Sequence, residues 1–516
     1  MKISQSHLAT LILAAIALGI SACSQENNNN LALEKTKEVK QYSSSNSSDK
    51  SRRSLSPNFS CFNVNALGIK SWQNPKFIDA VKQLNPRILR VPGGNVANYW
   101  DWEKGGLIED DSNLPAGLPD GFRSRKRREY TNSKLEDIKA GMDAIGATPL
   151  FVLNMISSDL ESQLEMLRSA KELGMPVKYV ELGNEFFFGN KNFRQAFPTP
   201  ADYAKTASEW ISAIKKEFPD AEISIIGATG GSQIRHSRIF HWNESLLNSA
   251  LPKADAITIH RYHTHGLDQG KIEQETYPYF SAEDVPIILG QPFKKFQKLH
   301  NDRNFNLIPQ NKKIWLTEYN LIEDIFFGKN KGKKPKVMGS WAHGMYALAM
   351  GMLFLEEPRI EFICNHVLVG NVRFGAIFRS KGSFLDLSET AVATPLSVSA
   401  AGSALRLLHD ATEGMTAAQK IDFPNNPTLT GSDDFKYSAL YGWMFTNDER
   451  SRAIIMNLSD RDINIDLSSL FSQTVNYEQI SGDPRLLVTK PGILTENNGS
   501  ASGTISLPAY SVTKLF

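Results

Sequence analysis

The chain has 516 residues, 41% of them hydrophobic and 22% charged, enough apolar side chain for a buried core and too much for a disordered chain. Lys and Arg total 57 against 55 Asp and Glu, a formal net charge of +2, which argues against nucleic acid as a main partner. Three cysteines exclude a disulfide scaffold, and no Cys/His pairing has zinc-site spacing.

The first predicted element is a targeting segment. Lys2 opens it, and Leu8 to Gly19 forms a mostly apolar run too short to span a bilayer of roughly 30 Å. The run closes on Ile20-Ser21-Ala22-Cys23, which resembles a bacterial lipobox. That resemblance implies a signal over residues 1–23, removed before Cys23, with lipid on the Cys23 thiol. It implies an exported protein held to the cell envelope, and Ser24 in place of Asp favours the outer membrane. Residues 24–57, with Asn27 to Asn30 and the Ser43-Ser44-Ser45-Asn46-Ser47-Ser48 run, read as a flexible polar linker. No later stretch is apolar for long enough to cross a membrane.

From residue 58 to 410 the predicted elements alternate. Strand candidates are Phe59 to Asn65, Arg87 to Val91, Pro149 to Asn154, Val177 to Asn184, Glu222 to Ala228, Ala254 to Tyr262, Lys313 to Glu318 and Ile360 to His366. Helical patterns lie between them, among them Pro75 to Leu84, Lys134 to Ala144 and Asp202 to Phe218. Alternation of this kind implies parallel pairing with right-handed crossovers, and the strand number is the one that closes a (β/α)8 TIM barrel. A doubly wound sheet would place a Gly-rich phosphate turn after the first strand, and Asn63-Val64-Asn65-Ala66-Leu67-Gly68 is not one. Pro395 to Leu408 reads as the last barrel helix, with its proline in the first turn. From residue 411 to 516 short strand candidates with Asn, Asp, Gly and Pro between them predict a β-sandwich: α/β overall, a barrel followed by an all-β domain.

A barrel presents its functional groups at the carboxyl ends of its strands. Strand four ends Glu181-Leu182-Gly183-Asn184-Glu185 and strand seven ends Thr317-Glu318-Tyr319-Asn320, one glutamate each at the same level. Two carboxylates across one cavity are what glycosidic bond cleavage needs, one protonated to serve the leaving oxygen and one ionised to attack. Period two puts His260 and Tyr262 on one face of strand six, with Ile259 and Arg261 on the other. His260, His263 and His265 have no matching carboxylate for a metal, and strand geometry turns His263 away from His260, so no metal or other cofactor is implied. Arg90 either lowers the pKa of Glu318 or pairs with Glu181.

These strand ends resemble the retaining (β/α)8 glycoside hydrolases of clan A. Leu89-Arg90-Val91-Pro92-Gly93-Gly94-Asn95, continuing to Tyr99-Trp100-Asp101-Trp102, resembles the second-strand motif of family 51 α-L-arabinofuranosidases. Glu181 to Glu185 resembles equally the heparanase and β-glucuronidase group, family 79. Phe186-Phe187-Phe188 then departs from both families. The resemblance implies that Glu185 is the acid/base and Glu318 the nucleophile, that Asn184 binds the sugar's 2-hydroxyl, and that Tyr262 donates to the nucleophile. Asn95, Arg90 and His260 join them as expected substrate contacts. Trp100, with Tyr99, Trp102 and the three phenylalanines, is an expected stacking surface for sugar rings. Asn154, Asn365 and His366 also end strands and are expected behind the substrate contacts. The partners expected are an oligo- or polysaccharide and, through the lipid, a membrane; the alternative to an enzyme is a non-catalytic glycan-binding lipoprotein on the same barrel, against which the intact pair Glu185 and Glu318 argues.

Cys61 and Cys364 fall on neighbouring strands, where two buried free thiols are the expected outcome. Residues 123–128 carry five basic side chains in six positions, and 329–336 carry five lysines. Both follow strands at the catalytic face, which suits an acidic glycan as well as it suits two solvated loops.

Overall fold

The computed structural model describes residues 41–43, 45–46, 52–69, 71–108, 133–267, 278–323, 336–370, 374–379 and 393–516. The signal, Cys23, most of the linker, the basic run at 123–128 and the lysines from 329 to 334 lie outside the described residues.

The barrel strands are β1 (Ser60–Asn63), β2 (Ile88–Val91), β3 (Thr148–Val152), β4 (Tyr179–Leu182), β5 (Glu222–Ile226), β6 (Ala256–His263), β7 (Lys313–Leu321) and β8 (Ile360–His366). They pair in parallel around one closed barrel, with β8 against β1 at the seam. Helices α1 (Pro75–Gln83), α2 (Leu135–Ile145), α3 (Leu160–Glu172), α4 (Pro200–Glu217), α5 (Val285–His300), α6 (Trp341–Leu353) and α7 (Ala400–Thr412) surround it. Local chemistry sets their ends. Asn74 Oδ1 accepts from Phe77 N at 3.3 Å ahead of a first-turn proline. Asp159 caps α3 through Ser162 N at 2.9 Å, and Gly146, at φ 79°, stops α2 in the left-handed conformation that suits glycine.

The barrel interior is built in layers. Cys61, Ile88, Leu150, Tyr179, Ala256, Trp315, Phe362 and Cys364 form one buried cluster. Tyr179 and Trp315 meet edge-to-face at 5.5 Å, and Phe362 lies 5.1 Å from Trp315. Two residues further along their strands, on the same face, stand Asn63, Arg90, Glu181, Thr258, Thr317 and His366. The interior thus changes from an apolar floor to a polar layer within one period.

Two expectations are corrected. Cys61 and Cys364 are joined as a disulfide, with Cα atoms 4.1 Å apart. The register sets them directly opposite each other across the β8–β1 seam, and both point into the floor. The last barrel helix starts at Ala400, capped by Ser399 Oγ accepting from Gly402 N at 3.3 Å, and Pro395 lies in the turn before it. A hydroxyl that satisfies an orphan N–H outweighs the proline signal.

The C-terminal domain is a β-sandwich. An eight-stranded sheet includes Ala417–Asp422, Leu440–Thr446, Ser451–Asn457 and Ser511–Leu515, and a three-stranded sheet includes Ile463–Asp466 and Thr504–Leu507. Ile421, Ile455, Ile465 and Leu507 pack in the core between them. The segment read as a free linker contributes to both. Gln41–Ser43 pairs with Ile463–Asp466, while Arg52–Ser54 pairs antiparallel with Ala417–Gln419. Arg53 also grips the barrel floor: Nη1 donates to the carbonyls of Glu357 at 2.9 Å and Leu355 at 3.3 Å, Nη2 to those of Ile360 at 2.7 Å and Pro358 at 3.3 Å. Arg53→Ala is expected to lower unfolding free energy by about 2 kcal/mol, because it removes charge-assisted bonds to carbonyls left half in the dark. Denaturant midpoints measure this, and Arg53→Lys, which cannot reach four acceptors, should recover only part of the loss.

Candidate active site

The polar layer is organised around one guanidinium. Arg90 is fully buried. Its Nε and Nη2 form a fork onto Glu181 at 2.7 and 2.9 Å, Nη1 donates to Glu318 Oε1 at 2.8 Å and to Asn63 Oδ1 at 3.0 Å, and Nη2 donates to Asn184 Oδ1 at 2.8 Å. The two roles weighed for Arg90 are therefore both filled. Glu181 and Glu318 share it.

Glu318 reaches this layer through a β-bulge. β6 and β7 pair Ile259 with Leu316 and then His260 with Glu318, leaving Thr317 as the extra residue. Thr317 and Glu318, adjacent in sequence, thus both face the interior. Thr317 Oγ1 donates to Glu181 Oε1 at 3.3 Å, and Glu318 Oε2 accepts from the Tyr262 hydroxyl at 2.6 Å. Burial alone would raise the Glu318 pKa. The charges of His260, His366 and Arg90 and the Tyr262 hydrogen bond overrule it and hold the carboxyl down to about 2.

Glu185 stands opposite, in a turn after β4. Its φ of +56° is unusual for a side chain with a Cβ, and such strain concentrates at functional sites. Gly183, at φ 85°, makes the turn possible, since a Cβ there would lie 2.3 Å from the Phe186 ring. Burial pushes the Glu185 pKa up, against the pull of His260. His260 Nδ1 lies 2.8 Å from Glu185 Oε1, and Nε2 lies 3.0 Å from Thr317 Oγ1. Because the Thr317 hydroxyl donates to Glu181, it accepts from His260 Nε2–H, which leaves Nδ1 facing Glu185 across a single transferable proton. The result is a pair of carboxyls with opposite tendencies, Glu185 to hold a proton and Glu318 to lose one. One oxygen of each and a ring nitrogen of His260 lie within 4.8 Å of one another.

That trio is also the one group of possible metal ligands among the described residues. Its chemistry argues against a divalent ion, because Arg90 already places a fixed positive charge 2.8 Å from Glu318. His263 faces away from both carboxyls, beside Arg261 at 3.5 Å, and His265 Nδ1 accepts from Leu267 N at 3.0 Å.

Of the expected site residues, Glu185, Glu318, Asn184, Asn95, Arg90, His260 and Tyr262 come together. Asn184 Nδ2 donates to Asn95 Oδ1 at 2.9 Å. Trp100 does not join them. It is 2% exposed within the main core, and its indole N–H donates to the Ser133 carbonyl at 3.2 Å. The short 3-10 turn Gly94–Tyr99 carries it off the mouth. Phe186 likewise packs among Phe193, Phe197 and Tyr203, with ring centres 5.0–5.7 Å away. Asn154 donates to the Trp100 carbonyl at 3.2 Å and Asn365 to the Tyr319 carbonyl at 3.2 Å, both away from the carboxyls.

Two further residues belong to the site. Asn63 Nδ2 donates to Glu318 Oε1 at 3.2 Å and to His366 Nδ1. His366 Nδ1 lies 3.7 Å from Glu318 Oε2, and burial lowers the His366 pKa to about 4. Arg90 fixes the Asn63 amide by donating to its oxygen, so the amide nitrogen must face His366, and the ring proton sits on Nε2. His366 ends β8 and is one of the residues expected behind the substrate contacts, whereas Asn63 ends β1 two residues before the expected strand end at Asn65 and so escapes the strand-end reading.

Comparison with known proteins bears on the fold that carries this arrangement. No protein-family model matches the chain. The alpha-L-arabinofuranosidase C of Emericella nidulans is 24% identical over 221 residues, covering 39% of this chain and 42% of that protein. The intracellular exo-alpha-(1->5)-L-arabinofuranosidase of Streptomyces lividans is 23% identical over 202 residues, 36% of this chain and 29% of that one. The match thus spans less than half the length of these curated relatives. A family 51 alpha-L-arabinofuranosidase structure from Bifidobacterium longum superposes with a TM-score of 0.67 at 16% identity, covering 92% of this chain and 99% of that chain. A 4-O-alpha-L-rhamnosyl-beta-D-glucuronidase from Fusarium oxysporum does so at 0.56 and 12% identity, with the same coverage. At such identities the likeness shows the fold: a TIM barrel with a β-domain. The resemblance to clan A glycoside hydrolases is supported in both sequence and fold.

Tyr262→Phe tests the electrostatics without a substrate. It removes a bond that favours the ionised form, so the Glu318 pKa should climb from about 2 toward its ordinary 4.5. Because the folded pKa is depressed, ionised Glu318 contributes stability that is present above about pH 4.5 and is lost as pH falls toward 2. Carbon-13 NMR titration of the carboxyl reads the shift, and an unmoved pKa in Tyr262→Phe would show that the hydroxyl contributes nothing.

Proposed function

We propose that the chain is a retaining glycoside hydrolase. Glu185 gives its proton to the leaving glycosidic oxygen while Glu318 attacks the anomeric carbon, and the bond to the aglycone breaks as the glycosyl–Glu318 ester forms. Glu185, now ionised, takes a proton from water, whose oxygen attacks the same carbon and frees Glu318. The observation that carries this reading is the carboxyl pair, closer than the ~6.5–9.5 Å an inverting enzyme needs for its water and biased in opposite directions. His260 relays the proton at Glu185, and Asn184, held by Arg90, Asn95 and Asn98, faces the sugar's 2-hydroxyl.

The sequence relatives favour an α-L-arabinofuranoside as the sugar cleaved. The basic runs at 123–128 and 329–336, with a glucuronidase among the fold neighbours, favour the second reading, an acidic, uronate-bearing glycan. Export and lipid anchoring at Cys23 complete the proposal, and the Cys61–Cys364 disulfide supports an oxidising compartment.

Glu318→Gln should lower kcat by on the order of 10^4 while leaving the fold intact. Glu185→Ala should slow poor leaving groups far more than activated aryl glycosides, with azide restoring part of the second step and giving a glycosyl azide of retained configuration. Wild-type turnover by Glu318→Gln would overturn the assignment.

A panel of aryl glycosides separates the substrates. An arabinofuranoside preference with salt-independent kcat/KM supports the first reading. Turnover of uronosides that falls steeply from low to physiological salt, where screening acts over about 8 Å, supports the second.

For the anchor, Cys23→Ser should abolish labelling by a fatty-acid analogue in a bacterial host. Undiminished labelling would remove the lipid from the proposal.

A further inference from the structure

Behind the catalytic face of β6 lies a group of basic side chains that the chemistry above does not use. Arg261 sits between His260 and Tyr262 in sequence and points to the opposite face, into a cavity walled by β6, α5 and the end of α6. Its Nη1 donates to Thr229 Oγ1 at 3.0 Å, and Nη2 approaches His263 Nε2 at 3.5 Å. Its Nε is buried with no hydrogen-bond partner. No carboxylate among the described residues forms an ion pair with Arg261, and none pairs with Lys295, which lines the same cavity. Asp302 is the acidic group that acts on Arg261, and its carboxylate is already committed to the backbone N–H groups of Phe305 and Gly230.

The remaining walls are the His263 ring and the apolar side chains of Pro292, Phe296, Leu299, Met350, Leu353 and Phe354. A half-buried arginine against such walls, with Asp302 acting on it but no direct ion pair, is costly to hold there. The consequences are visible in the neighbours: burial, with Lys298, Arg261 and Lys294 adding repulsion, lowers the Lys295 pKa. Burial and the charges of Arg261 and Lys295 push His263 well below the usual imidazole range. The open space is about 10 Å³ measured to the centre of a water-sized sphere, the room of one water or one small ion.

We infer that this cavity is a binding site for a small monovalent anion of the halide class, held by Arg261 Nε and the Lys295 ammonium among apolar walls. A sulfate or phosphate is too large for it. The anion supplies the direct ion pair that Arg261 and Lys295 lack and fixes the back of β6, whose front carries the His260 and Tyr262 contacts to the two carboxyls. The site does not depend on which sugar is cleaved, or on whether any is.

The test therefore uses stability of the full chain. Tm is measured in chloride, bromide, gluconate and sulfate at matched ionic strength. Chloride and bromide should raise Tm with the logarithm of their concentration once past saturation, as expected of a ligand bound only by the native state, and gluconate and sulfate should not. Lys295→Met and Arg261→Gln should each lose the halide-specific part of the rise. Bromide in crystals should give one anomalous peak beside Arg261 Nε. Should either variant fail to fold, chlorine-35 NMR line broadening by the wild type, competed by bromide and not by sulfate, reads the same site. Equal Tm in all four salts, or a halide response unchanged in both variants, overturns the inference and leaves a cavity that holds water alone.

Discussion

The candidate site depends on a single buried charge. Arg90 is the one residue that touches Glu181, Glu318, Asn63 and Asn184 at once, and all of them are buried with it. Two carboxylates in the dry interior of a barrel, with no cation, would each be driven to protonate. With His260, His366 and Arg90 around it, Glu318 stays ionised. Glu185 receives no hydrogen bond from Arg90 and takes its bias from burial first. Which glutamate holds a proton thus follows from the balance at each: His260, His366 and Arg90 together outweigh burial at Glu318, and burial prevails at Glu185.

Backbone irregularities complete what the charges begin. A regular β7 would alternate, and only one of Thr317 and Glu318 would face the interior. The bulge turns both inward, so that Thr317 orients His260 while Glu318 meets Tyr262. The left-handed turn at Glu185 brings the second carboxyl over the same space from β4. Local strain here is supported by a well-packed surround, including the Phe186 cluster beneath the turn.

The barrel was legible in the sequence because strands and helices alternate with unlike periods, and every strand candidate overlaps a real strand. Glu185 and Glu318 were legible because strand ends in a barrel share one level. Asn63 and His366 were underweighted because their contact with Glu318 is a matter of register across the β8–β1 seam, which no local pattern encodes. The same register joins Cys61 to Cys364. Trp100 shows the converse limit: its neighbours form a motif, yet a tight 3-10 turn sends its indole into the core. The strand at Arg52–Ser54 was hidden because a three-residue edge strand has no period to read, and its partner lies in the other domain.

That edge strand has a mechanical consequence. The ladder from Arg52–Ser54 to Ala417–Gln419 continues with Leu55 N donating to the Thr416 carbonyl at 2.7 Å, and Arg53 is bonded to the floor of the barrel. A pulling force applied at the N-terminal side therefore meets both domains before it reaches Ser60, where β1 begins. The load divides between the sandwich and the barrel base, and β1, which carries Asn63 to Glu318, is shielded from tension.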